Sequence, residues 1–151
     1  MKVFTILIAL AMLAGCSGKL PECMPKNSEK FRIRWGDLNE TSQTTAGYEL
    51  TNEGVINLYV RKGSGEPTRE KLGKLEEARF CSLVRLINQK ILSTQALYVP
   101  ADQANFIEYE NPEYNAYIRG VWNPKYTTEG NKDFREAYDS LQAAVSELGI
   151  K

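Results

Sequence analysis

The chain has 151 residues, with 19 basic and 19 acidic side chains, 42% hydrophobic residues and no histidine. Balanced charge, mixed in sign along the chain, gives no electrostatic case for nucleic acid or an anionic membrane surface as partner. Without imidazole the commonest general base and metal ligand are missing, and with them every nucleophilic triad built on histidine.

Met1-Lys2 is a short positive start, followed by an apolar run from Val3 to Leu13 interrupted only by Thr5. A run of about ten apolar residues is too short to cross a hydrocarbon core about 30 Å thick, and it ends in the small residues a signal peptidase accepts. The closing sequence Leu13-Ala14-Gly15-Cys16 resembles the lipobox of bacterial lipoproteins. The resemblance is confined to residues 1–16. It implies a signal peptide at residues 1–15 and lipid attachment at Cys16, with the membrane as partner and the cell envelope as location. In a Gram-negative cell, Ser17 resembles the sorting pattern for the outer membrane, facing the periplasm.

Residues 16–28 hold Ser, Lys, Asn, Pro21 and Pro25 without apolar periodicity, and read as a lipidated tether. Residues 29–151 are enough for one globular domain with one core. With Cys16 assigned to lipid, Cys23 and Cys81 form an even pair in an oxidising compartment. A disulfide between them would restrict the unfolded chain by roughly 4 kcal/mol. The alternative is two free thiols, with Cys81 a small apolar filler on a helix.

Residues 30–35 alternate, Phe31, Ile33 and Trp35 against Lys30, Arg32 and Arg34, as a half-buried strand requires. Gly36 to Thr45 reads as a polar loop, residues 47–51 as a second strand, and Asn52-Glu53-Gly54 as a turn. A third strand over 55–61 puts Ile56, Leu58 and Val60 on one face. Segment 68–75 is ambiguous between a short edge strand and an early helical turn, because Leu72 and Leu75 suit a helix while Gly73 weakens one. Phe80, Leu83, Val84, Ile87 and Ile91 then make one stripe of an amphipathic helix over 76–92.

After a connection over 93–104, residues 105–110 read as a strand. A turn at Asn111-Pro112 joins it to a strand over 114–122. Pairing Tyr109 with Tyr114 puts Ile107, Tyr109, Tyr114, Ala116, Ile118 and Trp122 on one face, and Glu108, Asn115, Tyr117 and Arg119 on the other. A last helix is expected from an Asn131 N-cap to Leu148, stopped at Gly149. Its stripe is Phe134, Ala137, Tyr138, Leu141, Val145 and Leu148. The fold class is therefore α+β: one antiparallel sheet of about five strands, with both helices packed on one face.

Little catalytic chemistry remains. No phosphate loop, dinucleotide fingerprint or Cys-x-x-Cys is present, and two thiols without imidazole make no zinc site. The carboxylates near Asp37 and Glu40, and near Glu108, Glu110 and Glu113, lack the ligand alternation of a calcium loop. No cofactor, metal or catalytic residue is expected. The aromatic enrichment between Tyr98 and Tyr126 leaves Tyr98, Tyr117 and Tyr126, with Arg119 beside Tyr117, as a candidate contact surface. The sequence thus points to a non-enzymatic envelope lipoprotein with a binding or structural role and an envelope protein as partner. A small inhibitor of an exported protease or muramidase, using the loop Gly36 to Thr45, is the second reading. A histidine-free hydrolase is the third.

Overall fold

The computed structural model describes residues 20–94 and 96–149. The expected signal peptide and Cys16 lie outside them. The chain runs β1 (Arg32–Asn39), β2 (Thr44–Thr51), β3 (Val55–Lys62), β4 (Thr68–Lys74), α1 (Glu77–Ile91), β5 (Leu97–Tyr98), β6 (Gln103–Asn111), β7 (Ala116–Trp122) and α2 (Lys132–Glu147). All seven strands join one sheet in the order β4-β3-β2-β1-β6-β7-β5. The α+β class stands, but the sheet is larger than five strands and is mixed, because β5 pairs in parallel with β7.

Both helices bury their stripes against one sheet face. Phe80, Leu83, Ile87 and Ile91 of α1 meet Phe134, Ala137, Leu141 and Val145 of α2 over Ile33, Trp35, Leu50, Ile56, Tyr109 and Trp122. The antiparallel helices are also paired at both ends. Arg79 at the start of α1 bonds Glu147 at the end of α2, and Lys90 at the end of α1 reaches Asp133 and Glu136 at the start of α2. Such exposed pairs orient the helices more than they stabilise them.

The expected loop Gly36 to Thr45 is mostly strand. β1 continues to Asn39 and β2 begins at Thr44, leaving a four-residue turn, Glu40 to Gln43. Gly36 and Gly47 face each other across this pair, and neither has room for a side chain. A Cβ on Gly36 would lie 2.2 Å from the Ala46 carbonyl oxygen, and one on Gly47 would lie 2.1 Å from that of Trp35. These glycines let two backbones approach closely, where the sequence suggested a turn.

Segment 68–75 resolves as the edge strand β4. Its Thr-Arg-Glu-Lys start is nearly all exposed, a charged edge of the kind that discourages further strand pairing. The β6–β7 register differs from the expected one by four residues: Tyr109 pairs with Ile118, and Ile107 with Gly120. Because the difference is even, the faces are preserved. Tyr114, however, leaves the core, since Pro112–Tyr114 form a 3-10 turn closed by Asn115 at φ 48°. Asn131 precedes α2 as expected, but its side chain points back to accept from the Thr128 N–H and donate to the Tyr126 carbonyl.

The tether reading is corrected for residues 20–28. Pro21, Met24 and Ser28 are buried, the Glu22 N–H donates to Glu77 at 2.7 Å, and Cys23 is joined to Cys81 by a disulfide with a Cα–Cα distance of 5.6 Å. The segment is packed on α1 rather than held away from it.

Candidate functional site

Among the described residues no helix covers the second face of the sheet, and that face is built on a transverse ladder of charge. The registers align Lys71, Asn57, Glu49, Arg34, Glu108 and Arg119 across six strands, from β4 to β7. Arg34 sits at its centre, 2.8 Å from Glu49, 3.5 Å from Glu108 and 3.2 Å from Glu110. Arg69 closes on Glu49 from the edge at 2.7 Å. Glu49 and Glu108 are 1% and 5% exposed, although no element covers them: the arginines themselves keep water off.

Tyr59 pairs with Gly47 in the register, on the same face as the ladder. It is 2% exposed, with the Arg34 and Arg69 guanidinium carbons 5.7 and 5.6 Å from its ring centroid. Stacking of two guanidinium groups on one ring holds the lattice in register. The face carries Arg32, Arg34, Arg61, Arg69, Lys71 and Arg119 against Glu49, Glu108 and Glu110, and is cationic in a chain whose charges balance.

Burial alone would raise the Glu49 carboxyl, but hydrogen bonds and charge from Arg69 and Arg34 outweigh it and hold the group below its ordinary 4.5. The folded value lies under the unfolded one, so the contribution is complete above about pH 4.5 and is lost as pH falls through the folded value. Replacing Glu49 with Gln, which keeps an acceptor but not the charge, should cost about 2–3 kcal/mol near neutrality. It should also flatten the acid limb of the stability curve. Urea titrations of both proteins between about pH 2 and 7 read both effects, and an unchanged acid limb would refute the assignment.

At the turn end of this face, Leu38, Thr45, Arg61, Arg119, Glu40 and Tyr98 surround a polar cavity of about 180 Å³. Leu38 and Thr45 are buried and form its floor, whereas Tyr98 is 64% exposed at its mouth and bonded to Glu40 at 3.3 Å. Two of the expected contact residues, Tyr98 and Arg119, therefore meet at one site. Tyr117 is 61% exposed on the same face, two positions before Arg119. Tyr126 does not join them. It lines a separate apolar cleft of about 60 Å³ with Leu97, Val99 and Trp122.

Sequence reasoning missed Arg34, Glu49, Tyr59 and Arg61. The one available signal was alternation: a strand that turns Ile56, Leu58 and Val60 to one side must turn Asn57, Tyr59 and Arg61 to the other. Among the described residues, no three His, Cys, Asp or Glu side chains group as metal ligands, and no helix is long and apolar enough to cross a membrane. No protein-family model matches the chain, and no curated protein matches it.

Proposed function

We propose that this chain is a lipid-anchored envelope protein with a non-catalytic binding role, exercised through the open, arginine-rich sheet face. The observation that carries the reading is that face. Among the described residues no helix lies over it; it is ordered by ion pairs, holds a small buried apolar cluster of Leu38, Ala104, Phe106 and Val121 at one end, and bears exposed Tyr98 and Tyr117 beside Arg119. Its Glu49 carboxyl is held in the charged form by Arg69 and Arg34 and is a poor proton donor, which gives the histidine-free hydrolase reading no support there. The inhibitor reading loses its contact loop, because only Glu40 to Gln43 remain outside the strands.

The Leu13-Ala14-Gly15-Cys16 motif supports anchoring. With Pro21 buried, the five-residue stretch 16–20 reaches at most about 18 Å. Glu22 and Cys23 are fastened to α1 in the helical layer. A lead that short and so attached holds the helices toward the bilayer and turns the open face away from it, toward a partner protein in the envelope. In a Gram-negative cell, the Ser17 pattern argues for the outer membrane.

Cys16→Ser should move the chain out of the acylated membrane fraction, and recovery of an acylated variant there would contradict the anchoring step. For the binding step, a photoreactive residue at position 117 should give a discrete cross-link in cells. The same probe at exposed Ser82 on α1 should not. Equal products from both positions would count against the sheet face.

A further inference from the structure

Arg61 has a chemical deficit that the ladder does not fill. Its Nε is shielded from solvent without a hydrogen-bond acceptor, and among the described residues it makes no ion pair. Only this nitrogen is shielded; Arg61 as a whole is half-buried and lines the cavity, so a bound anion would pair a cation that has no carboxylate partner among the described residues. Arg119, across the same cavity, is in a similar position. Its Nε is 3.2 Å from a Glu108 oxygen, yet it makes no hydrogen bond there, and Glu108 is shared with Arg34. Two arginines, one without a carboxylate partner and one sharing Glu108 with Arg34, thus line one cavity of about 180 Å³ together with Thr45.

The cavity is not uniformly positive. Glu40 stands at its mouth, tied to the Tyr98 hydroxyl. A dianion such as phosphate would gain from the arginines but be repelled by Glu40. A molecule with a carboxylate at one end and an ammonium at the other would satisfy both, the carboxylate bridging Arg61 and Arg119 and the ammonium reaching Glu40. The volume equals that of about six water molecules at about 30 Å³ each, which suits a ligand of about five to seven non-hydrogen atoms. We infer that this pocket binds a small zwitterion of the α-amino acid class. The inference rests on the binding role proposed for this face and names the ligand of one part of it; neither anchoring nor a protein partner is needed for the pocket to work.

The test is calorimetric titration of the purified full-length chain, in mild detergent, with glycine, acetate, methylamine and inorganic phosphate as separate probes. Glycine should bind more tightly than acetate or phosphate, and methylamine should not bind measurably. Arg61→Gln should weaken glycine at least tenfold, as loss of a charge-assisted pair implies, while Arg61→Lys, which keeps charge but not the fork, should fall between. Glu40→Gln should weaken glycine but leave acetate unchanged or tighter. Thermal melts that match the unmodified chain show that each variant is folded. Phosphate binding tighter than glycine, or glycine affinity indifferent to Arg61→Gln, would overturn the inference. So would no glycine binding by the unmodified chain, and that result would leave the protein-binding surface to its own cross-linking test.

Discussion

Trp122→Ala is expected to cost about 3–5 kcal/mol and to lower the melting temperature by roughly 10 °C or more. Trp122 is 1% exposed at the end of β7, with its ring 6.1 Å from Phe134 and edge-to-face with Tyr138 at 5.6 Å, centroid to centroid. It therefore packs the last strand against α2, and its removal leaves a cavity that neither sheet nor helix can fill without moving. Its indole N–H is buried without an acceptor, so Trp122→Phe, which removes that donor and keeps a ring, should cost much less. Tyr117, on the opposite face of the same strand and largely exposed, should tolerate Ala within about 0.5 kcal/mol. Chemical denaturation of the three variants reads this asymmetry. If Tyr117→Ala proves as costly as Trp122→Ala, Tyr117 packs in a buried layer and the open surface does not exist at this end of β7.

That asymmetry was legible in the sequence because it depends only on alternation. A register error of four residues leaves every side chain of β7 on its correct face, which is why Trp122 and Tyr117 were separated correctly although Tyr109 pairs with Ile118 and not with Tyr114. Tyr114 was lost for a local reason. Asn111-Pro112 starts a 3-10 turn, and Asn115 takes a left-handed conformation, so the strand begins two residues later than its apolar pattern suggested. The helices were legible to within a residue or two because five apolar positions at helical spacing leave little choice of face. β4 was not, since an exposed edge strand has no buried face to impose a period, and its charged residues are ordinary helix formers.

The loop expected between Gly36 and Thr45 failed for a reason beyond local pattern. Gly, Asp and Asn suggest a turn when the chain is read alone, but Gly36 is needed only because Gly47 lies opposite it, a contact between positions that no periodicity links. The candidate site was half visible for the same reason. Tyr98, Tyr117 and Arg119 were found because aromatic enrichment is a one-dimensional signal. Arg61 belongs to β3, far from them in sequence, and joins Arg119 at one cavity only through the strand order β3-β2-β1-β6-β7. The ladder through Glu49, Arg34 and Glu108 likewise needs three strands from separate parts of the chain. Mixed charge along a sequence reads as a solvated surface until sheet order puts opposite signs side by side.

Removing the Cys23–Cys81 bond should lower stability by about 4 kcal/mol, because the two cysteines are 58 residues apart and the bridge closes that whole stretch in the unfolded chain. On a total of about 5–15 kcal/mol this is a large share. The loss should fall mainly on the unfolded state. Residues 20–31 have other attachments: Met24 and Phe31 belong to the core, Glu22 bonds Glu77, and the Phe31 N–H donates to Ser28 at 2.8 Å. The Cys23→Ala/Cys81→Ala double variant should therefore keep the native near-ultraviolet spectrum at neutral pH and low temperature while its urea midpoint drops. Dithiothreitol should bring the unmodified chain to the same midpoint and leave the double variant unchanged. A midpoint indifferent to reductant would remove the bridge from the account of stability. A lost native spectrum at low denaturant would instead mean that the disulfide, and not Met24 and Phe31, holds the N-terminal segment against α1.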